Sequence, residues 1–191
     1  FHQLFTWWAV VLVNGRDQAL VARCRSGDLQ ALEALVVEYQ KPVYNAAYRI
    51  LGNRDDAADA TQATFLKAFE NLDGYDPQYK FFSWIYRIAI NESINQSKRI
   101  RRHEPLDEGE PTAEPGPYDE VSSGQLSREI QDALMALSED YRTVIVLRHF
   151  SDLSYRQISD ILRIPEKTVK SRLYSARRVL GQRSLGWGAT R

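Results

Sequence analysis

The stretch from Leu153 to Leu180 constrains the fold of this chain more than any other part of it. Ser154 and Gln157 have the S-x-x-Q spacing of a capping box, which predicts that a helix begins there. The apolar face of that helix consists of Ile158, Ile161 and Leu162. Pro165 then interrupts the pattern and fits the first turn of a new helix. The sequence therefore predicts two short helices joined by a tight turn.

The second of these helices has two chemically different faces. Its apolar positions are Val169, Leu173, Ala176 and Leu180. Its polar positions are Lys167, Lys170, Ser171, Tyr174 and Arg178. Residues 154–183 contain eight Lys/Arg against two Asp/Glu, and long basic side chains reach base edges and phosphates when a helix lies in the DNA major groove. The pattern predicts a DNA-binding helix-turn-helix, and the alternative is a helical hairpin with a solvated basic face.

The rest of the chain continues the helical periodicity, and no run with strand periodicity has a useful length. We therefore predict an all-α protein with helical domains at residues 17–102 and 126–183. Between them, residues 103–125 contain seven acids, four prolines and three glycines without any Lys or Arg. Such a composition cannot bury enough apolar surface to fold, so we predict a flexible acidic linker. Residues 184–191 form a tail.

Charge and composition limit the function classes. The net charge of zero does not exclude a nucleic-acid partner, because the acidic linker masks the basic C-terminal part and the local field acts on a polyanion. Cys24 is the single cysteine, so no internal disulfide forms. The histidines lie far apart, and the chain has no Gly-rich phosphate loop or nucleophile elbow. The sequence therefore contains no recognisable metal, cofactor or catalytic motif, although a constellation assembled only in the fold would escape this kind of analysis.

Residues 1–13, FHQLFTWWAVVLV, are apolar and aromatic. The run is too short to span a bilayer, which takes about 20 residues, and it lacks the basic start and cleavage site of a signal peptide. Because the chain begins with Phe, we expect that its first residue is not a native start. We interpret residues 1–16 as an N-terminal extension and assign it no function.

A helix predicted from about Asp55 to Asn71 has an acidic and polar first half. Acids in a first turn suit the helix dipole, which explains Asp55 and Asp56 but explains Asp59 and Gln62 less well. The predicted apolar face consists of Ala58, Phe65, Leu66, Phe69 and Leu72.

A turn-rich aromatic loop, DGYDPQYKF, and a helix from Phe82 to about Arg102 follow. One face of that helix carries Arg87, Asn91, Asn95 and Lys98 at steps of four, four and three. Asn side chains read adenine edges, Arg and Lys hold phosphates, and loop aromatics such as Tyr75 stack on unpaired bases. The alternative is that the asparagines are solvated and Tyr75 covers the core. Trp84 is predicted to pack in the core.

Two stretches carry a resemblance to a known family. They are DDAADATQATFLKAFENLDGYDPQYKFFSWIYRIAINESIN and ALSEDYRTVIVLRHFSDLSYRQISDILRIPEKTVKSRLYSARRVL. In this order and spacing they resemble bacterial RNA polymerase sigma factors of the extracytoplasmic-function (ECF) group, over about residues 17–181. The resemblance implies a cytoplasmic, non-enzymatic subunit that binds core RNA polymerase and recognises and melts promoter DNA. It also implies an anti-sigma factor as partner, and contact with a membrane only indirectly through that factor.

The resemblance assigns a role to each domain. Residues 17–102 would be a region-two module, in which the polymerase-binding residues are Asp55, Asp59, Gln62 and Phe65. Its contacts with the minus-ten element would be Tyr75, Lys80, Arg87, Asn91, Asn95 and Lys98. Residues 126–183 would be a region-four module that reads the minus-thirty-five element through Arg148, Lys167, Thr168, Lys170, Ser171, Tyr174 and Arg178. Glu166 and Lys167 stand where such proteins usually have small residues, so the promoter sequence stays open.

Two other function classes remain at this point. A stand-alone helix-turn-helix regulator would bind duplex DNA as a dimer, but no dimerisation surface is evident and the aromatic loop would be unexplained. An enzyme with an appended DNA-binding domain would need a catalytic constellation in residues 17–102, where none is evident.

Overall fold

The computed structural model describes residues 15–103 and 124–182, and within them it contains eight α-helices. They are α1 (15–25), α2 (Leu29–Leu51), α3 (Arg54–Glu70), α4 (Phe81–His103), α5 (Gly124–Met135), α6 (Glu139–Ile145), α7 (Tyr155–Leu162) and α8 (Glu166–Gln182). A 3-10 turn at Leu72–Gly74 begins the aromatic loop, and a π-helical turn at Val146–Phe150 continues α6. These ranges hold no strand, which confirms the all-α prediction.

Several sequence predictions concern residues outside the described ranges. The N-terminal extension, apart from its last two residues, is one of them, and so are nearly all of the predicted linker and the C-terminal tail. In the part of the chain that the structure describes, no helix is long and apolar enough to cross a membrane. The same residues hold no cluster of His, Cys, Asp and Glu side chains suited to a metal ion.

Short polar residues and a glycine set the limits of the first helices. Asp28 caps α2 by accepting hydrogen bonds from the backbone N–H groups of residues 30 and 31, and Asn53 caps α3 in the same way. Gly52 ends α2 with φ +79°, a left-handed conformation that favours glycine. The helix runs through Pro42 without interruption. Turns of two or three residues thus separate α1 from α2 and α2 from α3.

The buried face of α3 agrees only in part with the predicted one: Phe65 and Leu72 are buried and Phe69 is half-buried, whereas Ala58 and Leu66 are not. Its buried residues are Ala57, Ala60, Thr64, Phe65 and Ala68. Ala58 is exposed, and Leu66 is 57% exposed. The reason is that α3 packs against both α2 and α4, and small side chains let three helices approach closely. A residue one position along a helix points about 100° away, so the burial of Phe65 turns Leu66 outward.

The two helical domains are in contact through the C-terminal end of α2. The guanidinium of Arg142, in α6, is buried and donates to the carbonyl oxygen of Ile50 in α2. It also donates to three carbonyls of its own domain, those of Leu134, Met135 and Leu137. A Cβ added to Gly52 would lie 2.7 Å from the Sδ atom of Met135. The second domain therefore rests directly on the first one through α5 and α6, and its α7 also packs against α4.

A buried carboxyl joins α1 to α2. The Tyr39 hydroxyl donates to Oδ2 of Asp17 over 2.6 Å, and Asp17 is 3% exposed. Desolvation raises the pKa of Asp17 above its ordinary value, although the hydrogen bond from Tyr39 lowers it. An acid with a raised folded-state pKa contributes stability below its unfolded pKa and loses that contribution as the pH rises through the folded one.

We therefore expect Asp17→Asn to raise the thermal midpoint at pH 7, because the uncharged amide still accepts the Tyr39 hydrogen bond. The advantage should disappear as the pH falls below about 4, where the carboxyl of the wild type is protonated in both states. Thermal unfolding at several pH values measures this difference. Glu33→Gln, at an exposed acid of α2, is the control and should show little change. A lower midpoint for Asp17→Asn at pH 7 would contradict the prediction.

Candidate nucleic-acid interface

The turn between α7 and α8 is built as the sequence predicted. The backbone N–H of Ser154 donates to Oε1 of Gln157 (2.9 Å), and the N–H of Gln157 donates to Oγ of Ser154 (3.2 Å), which confirms the capping box. Arg163 ends α7 in the left-handed region with φ +53°. The carbonyl of Pro165 accepts from the backbone N–H groups of the third and fourth residues after it, and α8 begins at residue 166. The capping box therefore begins α7, and the conformation of Arg163 and the bonds to Pro165 end it and begin α8.

One face of α8 is buried and the opposite face is open to solvent. The buried side chains are Val169, Leu173 and Ala176, three of the four apolar positions that the pattern predicted. The exposed side chains are Lys167, Lys170, Ser171, Tyr174 and Arg178, and Thr168 is half-buried. Tyr174 is a large aromatic with 69% of its surface exposed. The helix thus presents three cations, a hydroxyl and an aromatic ring on one accessible surface.

Contacts with α6 and with the π-helical turn after it hold α8 in place. The Arg172 guanidinium forms an ion pair with Asp140 over 2.7 Å, and a nitrogen of Arg177 lies 3.2 Å from Nε2 of His149. Partial burial and the two neighbouring arginines, Arg177 and Arg148, lower the pKa of His149 below its usual value. Arg172 and Arg177 are therefore oriented toward α6 and the turn that follows it. The exposed face of α8, described above, stays open for a ligand.

Tyr155 lies between two of the predicted DNA-binding cations. The Arg148 guanidinium is 5.5 Å from the centre of its ring, and Nζ of Lys170 is 5.7 Å from the same centre. Arg148 is half-buried and donates to the carbonyl of Leu153 (2.8 Å). Sequence reasoning missed Tyr155, because the first position of a helix shows no periodic signal. Its ring places both cations at the surface of the turn.

The α4 residues predicted for the minus-ten element differ in their exposure. Asn91, Asn95 and Lys98 are exposed. Arg87 is half-buried, and desolvation lowers its pKa, with a further lowering from the positive charge of Arg163 in the second domain. The structure therefore brings three of the four side chains to an open face, and the fourth lies where α4 meets the helix-turn-helix.

The aromatic loop presents a different tyrosine from the expected one. Tyr75 is 2% exposed, and its ring packs against Phe81 and Trp84, each with centroids 5.5 Å away. The expected stacking of Tyr75 on a base does not fit this buried position, and the alternative stated above, that it covers the core, matches the arrangement. Trp84 packs against the core as predicted. Tyr79 and Lys80 are exposed, and Tyr79 keeps 63% of its surface accessible.

The residues that the resemblance assigned to polymerase binding lie on α3. Asp55, Asp59 and Gln62 are exposed along this helix. Phe65 is 8% exposed and stacks on Phe69 at 6.0 Å, so its assignment to a surface contact does not fit the structure. The adjacent Leu66 is exposed instead. The predicted apolar face of α3 was therefore right for Phe65 and wrong for Leu66, and of these two side chains Leu66 is the one that a partner can reach.

A groove of about 490 Å³ runs between α3 and α4. Its lining includes Asp59, Ala63, Glu92, Gln96, Arg99 and Ile100. Nζ of Lys67 in α3 lies 2.6 Å from Oε1 of Glu92 in α4. Nε2 of Gln96 in α4 donates to Oδ1 of Asp56 in α3 over 3.1 Å. The polar surface of α3 is therefore continuous with a shallow groove that both helices hold rigidly.

Comparison with known proteins identifies both domains. The family model for Sigma-70 region 2 matches residues 35–103, and the model for Sigma-70, region 4 matches residues 127–180. The chain is 37% identical over 176 residues to the ECF RNA polymerase sigma factor SigW of Bacillus subtilis, covering 84% of this chain and 92% of that protein. It is 34% identical over 176 residues to the ECF RNA polymerase sigma-E factor of Escherichia coli K12, covering 86% and 92%.

Two solved structures have a similar fold. The structure of CnrH in complex with the cytosolic domain of CnrY superposes with a TM-score of 0.69 at 25% identity, covering 87% of this chain and 96% of that one. The sigma factor RpoE in complex with the anti-sigma factor NepR from Bartonella quintana gives 0.65 at 25% identity, covering 78% and 94%. The similarity therefore extends over both domains and not only over the helix-turn-helix.

Proposed function

The chain belongs to the extracytoplasmic-function family of RNA polymerase sigma factors, which direct the polymerase to promoters, and we propose how its own residues divide this work. Residues 17–102 bind core polymerase and the minus-ten element. Residues 126–183 bind the minus-thirty-five element. The observation that carries the proposal is the exposed polar face of α8, whose opposite face is buried in a helix-turn-helix.

The contact with the minus-thirty-five element uses the side chains on that face. Lys170, Ser171 and Tyr174 lie near the middle of α8 and reach base edges in the major groove. Lys167 and Arg178 lie toward its two ends and hold phosphates. Arg148, which Tyr155 keeps in place, adds a cation from the turn after α6. Thr168 is half-buried and contributes from the start of the helix.

Polymerase binding is the role of the exposed polar face of α3. Asp55, Asp59 and Gln62 supply carboxylates and an amide to the partner. Leu66, with 57% of its surface exposed, adds an apolar contact beside them. Phe65 supports this face from below by anchoring α3 in the core. On α4, Asn91, Asn95 and Lys98 are the minus-ten contacts, and Arg87 joins them when α4 is free of the second domain.

The remaining partners follow from the family. One similar structure is a sigma factor bound to an anti-sigma factor, and we infer that an anti-sigma factor also binds this chain. The protein then works in the cytoplasm, and the chemistry of transcription belongs to the polymerase, so no catalytic residue or cofactor is assigned to the chain. A stand-alone regulator is not favoured, because the chain contains both the region 2 and the region 4 domain.

Co-elution with bacterial core RNA polymerase on size exclusion tests this proposal. We expect the wild type to co-elute, and the double variant Asp59→Ala/Gln62→Ala to bind at least about tenfold more weakly, which corresponds to a loss of about 1.4 kcal/mol. Glu33→Ala, at an exposed acid of α2, is the control and should bind as the wild type does. A folded wild-type chain that elutes apart from the polymerase would refute the function, and normal assembly of the double variant would refute the α3 contact.

A further inference from the structure

Helix α1 holds residues 71–80, the segment that contains nearly all of the aromatic loop, although α1 lies outside the residues that the region 2 family model matches. Nη2 of Arg25 donates to the carbonyl oxygens of Leu72 (2.9 Å), Asp73 (3.2 Å) and Tyr75 (2.8 Å). Nε2 of Gln18 donates to the carbonyl of Pro77 over 2.7 Å. Two side chains of α1 thus bind four carbonyl groups of one short loop.

Bonds within the loop fix it further. The buried Tyr75 hydroxyl donates to the carbonyl of Tyr79 over 2.6 Å. The backbone N–H of Tyr79 donates to the carbonyl of Asp76 (3.0 Å), and the Asp76 carboxylate accepts from the N–H of Gln78 (2.9 Å). Tyr79 is therefore held by both of its backbone polar groups while 63% of its surface stays exposed. The ring of Tyr75 is thus buried in the core, and the ring of Tyr79 is exposed to solvent.

The exposed ring lies at the start of the helix that carries the asparagine face. Helix α4 begins at Phe81, and Asn91 follows ten residues later, a distance of about 15 Å along the axis. Stacked nucleotides are spaced at about 3.4 Å, so a single strand of about four nucleotides spans the distance from the loop to Asn91. Lys80, next to Tyr79, is exposed and provides a cation for the phosphates of such a strand.

We propose that Tyr79 is the residue on which an unpaired promoter base stacks, and that Arg25 is a positioning residue that holds the loop for it. This inference rests on the proposed function and names the residue that performs one part of it. A flat aromatic ring stacks on any base without sequence preference. A loop that is already fixed by α1 and Tyr75 loses less conformational freedom when the base binds. The geometry thus favours capture of a base over its return to the duplex.

The test uses holoenzyme reconstituted from core polymerase and the full chain, with a promoter that the wild-type holoenzyme selects from randomised fragments. We expect Tyr79→Ala to reduce promoter opening, read by permanganate reactivity of unpaired thymines, by about five- to 150-fold. Tyr79→Phe should open the promoter as the wild type does, because stacking does not need the hydroxyl. Gln78→Ala, at the exposed neighbour in the loop, is the matched control and should also have no effect.

The role of Arg25 has its own readout. Arg25→Ala should reduce opening by a smaller factor than Tyr79→Ala, and Arg25→Lys should restore only part of it, because an ammonium group lacks the planar fork of the guanidinium. In the double variant, opening should be no weaker than in Tyr79→Ala alone. A general loss of stability would instead add to the Tyr79→Ala defect, and that result would overturn the positioning role.

The outcomes separate this inference from the proposed function. If Tyr79→Ala opens the promoter as well as the wild type, or if Tyr79→Phe is equally defective, the assignment of Tyr79 is overturned while the sigma-factor function stands. If the wild-type chain does not associate with core polymerase, both are overturned. On a promoter that is already mismatched over the minus-ten region, the Tyr79→Ala defect should shrink, because the cost of unpairing has been removed. An unchanged defect there would also overturn base capture.

Discussion

Replacement of Arg142 by methionine is expected to lower the free energy of unfolding of the chain by about 3–5 kcal/mol. The guanidinium is 3% exposed and donates to carbonyls of Leu134 (3.0 Å), Met135 (3.0 Å) and Leu137 (3.1 Å), as well as to that of Ile50. These acceptors lie at the C-terminal ends of α5 and α2, where helix carbonyls lack a donor from the next turn and a positive charge is favourable. Methionine fills a similar volume but donates nothing.

Urea denaturation followed by circular dichroism measures this loss. Arg172→Met removes the same number of charges, but its ion pair with Asp140 has side-chain exposures of 27% and 61%, so the control should lose no more than about 1 kcal/mol. The loss for Arg142→Lys should lie between those of Arg142→Met and Arg172→Met, because one ammonium group cannot reach acceptors from two helices at once. An Arg142→Met protein within 1 kcal/mol of the wild type would contradict the capping role.

The same substitution is expected to uncouple the two domains. The bond to Ile50 crosses from α6 to α2, so its loss weakens the contact that makes the domains unfold together. The wild type should unfold in one transition, and the variant should show two separate ones, of which the transition of residues 126–183 carries the loss in free energy. A single transition in both proteins would show that other interdomain contacts, such as that between Gly52 and Met135, are sufficient.

The role of Arg142 illustrates what the sequence does not contain. The residue stands in a helical pattern, where an arginine is normally solvated, and nothing local indicates that it faces the end of a helix 92 positions away. The capping box of Ser154 was predictable, since both of its hydrogen bonds join residues three positions apart. Short-range signals therefore gave the helices and the turn, whereas the contact between the domains depends on tertiary packing.

The loop and α3 show a second limit. Hydrophobic periodicity favoured large apolar residues as the core face of α3, but close packing of three helices selected small ones and left Leu66 exposed. In the loop there is no periodicity at all, so the sequence does not distinguish the tyrosine that faces the core from the one that faces solvent. Only the contacts of Tyr75 with Phe81 and Trp84 make that distinction.

The double variant Lys170→Ala/Ser171→Ala is expected to lose at least about 30-fold in transcription from a promoter that the wild-type holoenzyme uses. Both side chains are exposed near the middle of α8, and each lost base contact costs about 1–3 kcal/mol. Lys170 is also oriented by Tyr155, with Nζ 5.7 Å from the ring centre, so its position is partly set before DNA binds. Run-off transcription with reconstituted holoenzyme measures the effect, and core binding by the variant should stay at the wild-type level.

A control variant tests whether the loss of one positive charge is enough to produce this effect. Arg128→Ala removes one exposed positive charge from α5 instead of from α8, and should leave transcription within about twofold of the wild type. If both variants lose activity equally, the effect is a general electrostatic one. If the Lys170→Ala/Ser171→Ala holoenzyme selects from randomised promoters the same minus-thirty-five sequence as the wild type, these residues do not read bases. A changed preference at two or three adjacent positions is the result that direct readout by α8 requires.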